Sequence, residues 1–388
     1  MLNFNQFYQR TLVLLIGVLG IASCEKGLSS SENDKDLKPI PFNKTYFSNL
    51  GEPLNSDLVY RDGMVLTRNS VMQGFDLDES GNMYLIQVAG FDEHNLNLCM
   101  FNKHEGVKAG EMTFSYFGHG TNISLEEDNG KVYVWVGSHG YKASDGSYTG
   151  SLTVSRIEYK DGVKYEHSGE DVYIYEGVRN IHPAVNREKN IFAVTHSKRV
   201  SGVSRRTFSV YKLDEVLALE KREVTLPSRK YGGGKAPISE TTSSDKVQAK
   251  VISDLKPLYE VKLSEGFAGD EDIPDQIEGA VGKYAFQGFD ADENFIYFFE
   301  GVGNENDPSL KSAAFLSVIG KNGVLSARKE VAAANDVEKL KELGFADNGY
   351  FEAEGVKIIG DELYLGFASR KKQGSIDQRL ANILKYTK

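Results

Sequence analysis

The chain has 388 residues and a formal charge of −10 at pH 7. That acidic balance excludes a nonspecific electrostatic grip on nucleic acid and argues against a simple grip on any polyanion. With 39 Gly, 20 Tyr, 21 Phe and only 2 Cys, it reads as aromatic strands joined by glycine turns, not as a disulfide-stapled fold.

From the N-terminus, residues 1–24 read as a leader. Arg10 supplies a positive n-region, and Thr11 to Ala22 an apolar run too short to span a bilayer stably. It ends in Ile21-Ala22-Ser23-Cys24, which resembles the lipobox of bacterial lipoproteins. Lipidation at Cys24 would anchor the mature chain to a membrane. Residues 25–44, with Ser29-Ser30-Ser31, Pro39 and Pro41, read as a flexible tether. The expected location is the bacterial cell envelope, outside the cytoplasm. With Cys24 lipidated, Cys99 has no intrachain partner. It lies in the apolar run Leu96–Phe101, as a buried structural thiol would.

Residues 45–388 carry a phrase repeated five times: a polar residue usually followed by Gly, a hydrophobic stretch, a turn and an aromatic strand. The copies run from Gln73-Gly74-Phe75-Asp76 to Tyr84, from His119-Gly120 to Tyr133 and from His182-Pro183 to Phe192. The last two run from Gln287-Gly288-Phe289-Asp290 to Tyr297 and from Glu354-Gly355 to Tyr364. Each copy predicts two strands and a tight turn, such as Glu79-Ser80-Gly81-Asn82. Further strands follow the copies: Asn95–Asn102 and Glu111–Tyr116, Ser151–Tyr159 and Val172–Glu176, Arg206–Leu213 and Val224–Leu226, Ala313–Ile319 and Arg328–Val331. Four strands per unit, repeated, describe an all-β protein, a five-bladed β-propeller.

The interval of 105 residues from Phe192 to Tyr297 leaves a six-bladed ring as the alternative. Loop composition in Arg229–Lys250 favours an insertion near 227–260 instead. Leu58–Leu66 and Ala381–Tyr386 are the segments available to close the ring, which would protect its sheet edges. Asp336–Leu343 is the clearest helix, with Asp336 as N-cap.

Val71-Met72-Gln73-Gly74-Phe75-Asp76, Phe117-Gly118-His119-Gly120 leading to Val132-Tyr133-Val134-Trp135, Gln287-Gly288-Phe289, and Glu354-Gly355 with Leu363-Tyr364-Leu365-Gly366 together resemble one propeller family over most of residues 65–370. That family includes the teichoic-acid biosynthesis protein C group and the receptor-binding propellers of some staphylococcal phages. The resemblance implies a five-bladed propeller that recognises a cell-surface glycopolymer. The leader and the long insertion are additions to that pattern.

In a propeller the first strand of each phrase is the innermost, so Gln73, His119, His182, Gln287 and Glu354 are expected to ring the channel mouth as binding residues. Donors and acceptors gathered there suit sugar hydroxyls, and could also hold a divalent metal. The same groups could instead bond neighbouring blades and close the ring. His119 and His182 are the candidates for catalysis, with Tyr84, Tyr133, Tyr175 and Arg179 as further pieces of a lyase or hydrolase. No HExxH, GxSxG or paired-carboxylate signature supports that reading. The acidic turns Asp76–Asn82 and Asp290–Asn294 read as hairpin turns, not calcium loops. The expected function is therefore non-enzymatic binding of a polysaccharide or envelope glycopolymer by a lipid-anchored monomer, with no resident cofactor and no nucleic acid. The alternative is a polysaccharide lyase or glycoside hydrolase acting through His119 and His182.

Overall fold

The computed structural model describes residues 37–387, apart from 89–94, 141–149, 201–202, 231–238, 265–280, 283, 306–310, 347–348 and 374. The leader with Cys24, and the tether as far as residue 36, lie outside the described residues. From Lys38 onward the chain forms one compact unit. The tether expected over 25–44 therefore ends earlier than its composition suggests. The Phe42 ring packs 5.2 Å from Phe295 and 6.0 Å from Tyr297, and Asn322 donates to the Lys38 carbonyl at 2.9 Å. A short helix, α1 (Thr45–Ser48), buries Tyr46 beside them.

The described strands form five sheets. Strand β1 (Val59–Val65) precedes the first complete blade, β2 (Met72–Leu77), β3 (Met83–Val88), β4 (Asn95–Phe101) and β5 (Lys108–Ser115). Blade 2 begins with β6 (Ser124–Asp128), β7 (Lys131–Gly140) and β8 (Ser151–Glu158). The chain then lends β9 (Lys164–Glu166) to the outer edge of blade 1 before β10 (Asp171–Ile174) completes blade 2. Blade 3 starts with β11 (Arg179–Asn186), β12 (Ile191–Val200) and β13 (Val203–Lys212), followed by helix α2 (Leu213–Leu217).

Here the structure corrects the sequence reading. Residues expected to form a loop make a long hairpin, β14 (Lys221–Lys230) with β15 (Ser239–Val251), and Val224–Leu226 belongs to it. The hairpin joins the neighbouring sheet, β15 lying parallel to β10, so blade 2 has six strands. The fourth strand of blade 3 is β16 (Tyr259–Ser264). Alternating Val224, Leu226, Val247, Ala249 and Val251 pack on Val172 and Ile174, which explains the attachment. The polar Ser and Thr of this segment hid that alternation.

Blade 4 is β17 (Ala285–Ala291), β18 (Phe295–Val302), β19 (Ala313–Gly320) and β20 (Leu325–Glu330). Helix α3 (Val337–Glu342) follows, with Asp336 accepting from the Lys339 N–H as its cap. Blade 5 is β21 (Glu352–Ile359), β22 (Glu362–Gln373) and β23 (Ile376–Tyr386), and β1 adds its fourth strand by pairing with β23. The first and last described strands thus share one sheet, and the expected closure is present.

Strand periodicity explains how the blades hold together. In β18, Ile296 and Phe298 pack against blade 3, while the alternate residues Tyr297 and Phe299 pack against blade 5. Each blade boundary has its own apolar cluster of this kind. Sheets buried on both faces need nearly continuous hydrophobic runs, such as Met83–Val88, and the sequence has them.

Candidate functional site

The five inner strands β2, β6, β11, β17 and β21 surround the channel, and side-chain bonds fix their mutual register. Asp76 of blade 1 accepts from the Leu125 N–H of blade 2 at 2.8 Å. Ser124 Oγ accepts from Val185 N–H of blade 3 at 3.0 Å, and Asp290 from Ile358 N–H of blade 5 at 2.7 Å. Matched through these bonds, Asp76, Ser124, Ala184, Asp290 and Lys357 stand at one level. Three residues earlier stand Gln73, Thr121, Ile181, Gln287 and Glu354.

This register revises the ring read from the sequence. Gln73, Gln287 and Glu354 are equivalent. His182 sits one residue beyond the equivalent Ile181, and His119 two before Thr121. The long polar side chains of this level are thus three, from adjoining blades 4, 5 and 1, with Thr121 and Ile181 completing the level and the histidines beside it.

The middle of the channel is plugged. Lys357 is buried and reaches across from blade 5 to donate to Ile123 O at 2.6 Å and Ser124 Oγ at 2.7 Å, with Asp76 Oδ2 at 3.4 Å. Asn122 spans from the approach to blade 2 to two other blades. It donates to Pro183 O at 2.6 Å and accepts from Phe289 N–H at 2.9 Å. Burial raises the Asp76 carboxyl above its ordinary range and pushes Asp290 up to about 6, against the pull of Lys357 and backbone N–H donors. Sequence reading missed this plug, although the repeated Gln-Gly-Phe-Asp and a lone Lys within Gly355-Val356-Lys357-Ile358-Ile359 were its signals.

The glycines of the phrase serve the same closure. A Cβ on Gly288 would lie 3.0 Å from Asn122 Oδ1 and 3.3 Å from the Gly355 Cα, and one on Gly355 would lie 3.7 Å from the Gly74 Cα. Both Gly288 and Gly355 hold φ of +138°, a region that favours glycine. Here three inner strands touch backbone to backbone.

Just before these glycines each ladder slips. β2 shifts register between Met72 and Gly74, β17 between Phe286 and Gly288, and β21 between Ala353 and Val356. Gln73, Gln287 and Glu354 therefore sit in bulges, a device that re-aims side chains beside functional sites. They stand at the N-terminal mouth, where the inner strands begin. Among the described residues, no side-chain hydrogen bond or ion pair joins any of the three to another residue. Glu354 is only 3 % exposed, and burial together with the Glu352 charge raises its carboxyl well above the usual range.

The histidines are engaged differently. His182 is buried, with Nδ1 2.8 Å from Thr121 O and Nε2 3.1 Å from Asn180 Oδ1. Burial and then the Arg206 charge lower its pKa to about 3, and burial lowers that of His119 to about 4. Both are neutral at pH 7. Both His182 nitrogens thus have partners within the fold. Of the other catalytic candidates, Tyr84 is buried at the boundary between blades 1 and 2. Asp78 and Asp292 bond within their own hairpin turns, as expected for structural turns. No group of three or more His, Cys, Asp or Glu suited to a metal occurs among the described residues.

The opposite, C-terminal mouth holds a depression of about 340 Å³ floored by Asp290 and Lys357, with Asp78, Glu79, Glu127 and Arg187 around it. Arg187 lies 3.2 Å from Asp128 and 3.5 Å from Glu126 there, whereas burial and then the Glu79 and Asp78 charges raise the Glu127 carboxyl. Another depression, of about 320 Å³, lies where β14 meets the segment Tyr175–Arg179. No helix among the described residues is long and apolar enough to cross a membrane.

No family model matches the chain. It is 20% identical over 346 residues to a protein of Bacillus subtilis (strain 168) named "Putative major teichoic acid biosynthesis protein C", covering 86% of this chain and 62% of that relative. The chain thus spans less than two thirds of the relative's length. Among solved structures, Drosophila Plexin A in complex with Semaphorin 1b aligns at 10% identity and a TM-score of 0.28, over 82% of this chain and 64% of that one. Drosophila Semaphorin 2a aligns at 11% identity and 0.26, over 83% and 54%. The five-bladed fold rests on the sheet order, not on these two likenesses.

Proposed function

We propose that this protein is a non-enzymatic propeller of the bacterial cell envelope, anchored through a lipid on Cys24 and held outside the cytoplasm. It binds a polysaccharide or glycopolymer at the N-terminal mouth. One observation carries this reading: Gln73, Gln287 and Glu354, from three adjoining blades, bring two carboxamides and a carboxyl to one place with no internal partner. Polar groups gathered without partners at a channel mouth suit a ligand rich in hydroxyls. The distant relative's teichoic-acid name and the envelope-type leader support the same assignment. The plug restricts a ligand to the mouth, so the polymer lies across it and does not thread the channel.

A glycan array probed with residues 38–388, alongside an assay for unsaturated or reducing-end products, tests this. The expected outcome is binding without product. Replacing Gln73 or Gln287 with Ala should weaken it about 3- to 10-fold each, as loss of a hydrogen bond does. Product formation that His119→Ala abolishes would overturn the binding reading in favour of a lyase or hydrolase. Absence of any glycan ligand would sink both.

A further inference from the structure

We infer that the N-terminal mouth holds a divalent cation of the calcium class, with Glu354 as its charged ligand and the side-chain carbonyls of Gln73 and Gln287 as neutral ones. This rests on the proposed role of the mouth and names the chemistry of the site. Glu354 is 3 % exposed, and no cationic group among the described residues pairs with it. The nearby guanidinium groups are committed elsewhere. Arg379 Nη1 lies 2.8 Å from Glu305, and Arg370 pairs with both Glu305 and Asp377. Glu352, two residues before Glu354, accepts from the Tyr350 hydroxyl and adds a like charge. A buried carboxylate without a counter-charge is costly, and a cation from solution removes that cost.

The donor set selects the ion. All three side chains offer hard oxygen atoms. His182 is bound to Thr121 and Asn180. Oxygen-only ligands with carboxamide carbonyls suit calcium, whose coordination is flexible, whereas magnesium demands a tighter octahedron. The contact of the Gly74, Gly288 and Gly355 backbones makes the three side chains depart from adjacent points on three strands. With one carboxylate and two carbonyls, water or ligand hydroxyls complete the shell. So few charges place the affinity with extracellular calcium modules, a Kd of about 10⁻⁴–10⁻³ M.

Calorimetry and thermal unfolding of residues 38–388, titrated with calcium chloride and separately with magnesium chloride after chelator treatment, test the inference. Calcium should bind in that range and raise Tm by about 2–5 °C at 10 mM, with magnesium weaker. Glu354→Gln should lose binding by more than about tenfold while its calcium-free Tm equals or exceeds that of the wild type. Gln287→Ala should lose about 3- to 10-fold. No calcium effect up to 10 mM, or equal calcium binding by Glu354→Gln, overturns the inference. Glycan binding measured in EDTA separates the two ideas: if it persists without calcium, the mouth still binds sugar and only the cation assignment falls.

Discussion

Two rings of polar side chains lie three residues apart on the same inner strands, and they differ in one respect. In the plug, Asp76, Asn122, Ser124, Asp290 and Lys357 are all buried in mutual bonds that cross from blade to blade. At the mouth, Gln73, Gln287 and Glu354 occupy equivalent positions, and their side chains bond to no other described residue. Both rings come from one repeated phrase, so repetition alone does not separate architecture from recognition. Satisfaction separates them. A buried polar group that is fully bonded explains itself as structure, while one left open at a bulge calls for a partner from outside.

The largest effect should come from breaking the plug. Lys357→Met leaves Asp76 and Asp290 buried without their cation and should cost about 3–5 kcal/mol, read by denaturant unfolding. A loss under about 1 kcal/mol would mean the plug is not what holds the blades. Alanine at Gly355 should cost about 1–3 kcal/mol, because its φ of +138° is strained for alanine and the new Cβ would press on the Phe75 ring at 3.0 Å.

Asp290 gives the plug a pH signature of a definite sign. Its carboxyl is raised from 3.8 to about 6 in the fold, so its contribution is fully present below pH 3.8 and lost as pH rises through about 6. His182 acts oppositely: lowered from 6.5 to about 3, it contributes above pH 6.5 and its contribution is lost as pH falls toward 3. Relative to the wild type, Asp290→Asn should therefore gain about 2–3 kcal/mol between pH 4 and pH 7 in paired denaturant titrations. A pH-independent difference would remove Asp290 as a titrating member of the plug.

The smallest stability effects belong to the mouth. Gln73→Ala and Gln287→Ala should stay within about 0.5 kcal/mol of wild type by denaturant unfolding, although glycan binding drops. If either substitution destabilises as much as a plug mutant, the contrast between the rings collapses, and the mouth becomes one more layer of closure.

Much of the fold was legible from local pattern. Five copies of one phrase, each a tight turn and an aromatic strand, predicted five blades, and Leu58–Leu66 with Ala381–Tyr386 the closing pair, because strand periodicity and turn chemistry are local properties. The β14–β15 hairpin was not legible, since what fixes it is Val172 and Ile174 of another blade. Gln73, Gln287 and Glu354 were identifiable by position, whereas His119 and His182 were aligned with them by a register that sequence spacing does not set. Bulges and the uneven approach to β6 shift that register by one or two residues, and only the bonds between blades reveal it. The sequence by itself determined the repeat, the number of blades and the polar character of the inner strands. The tertiary structure decided which of those polar groups are consumed in closing the channel and which remain open, because hydrogen-bond satisfaction depends on neighbours remote in the chain.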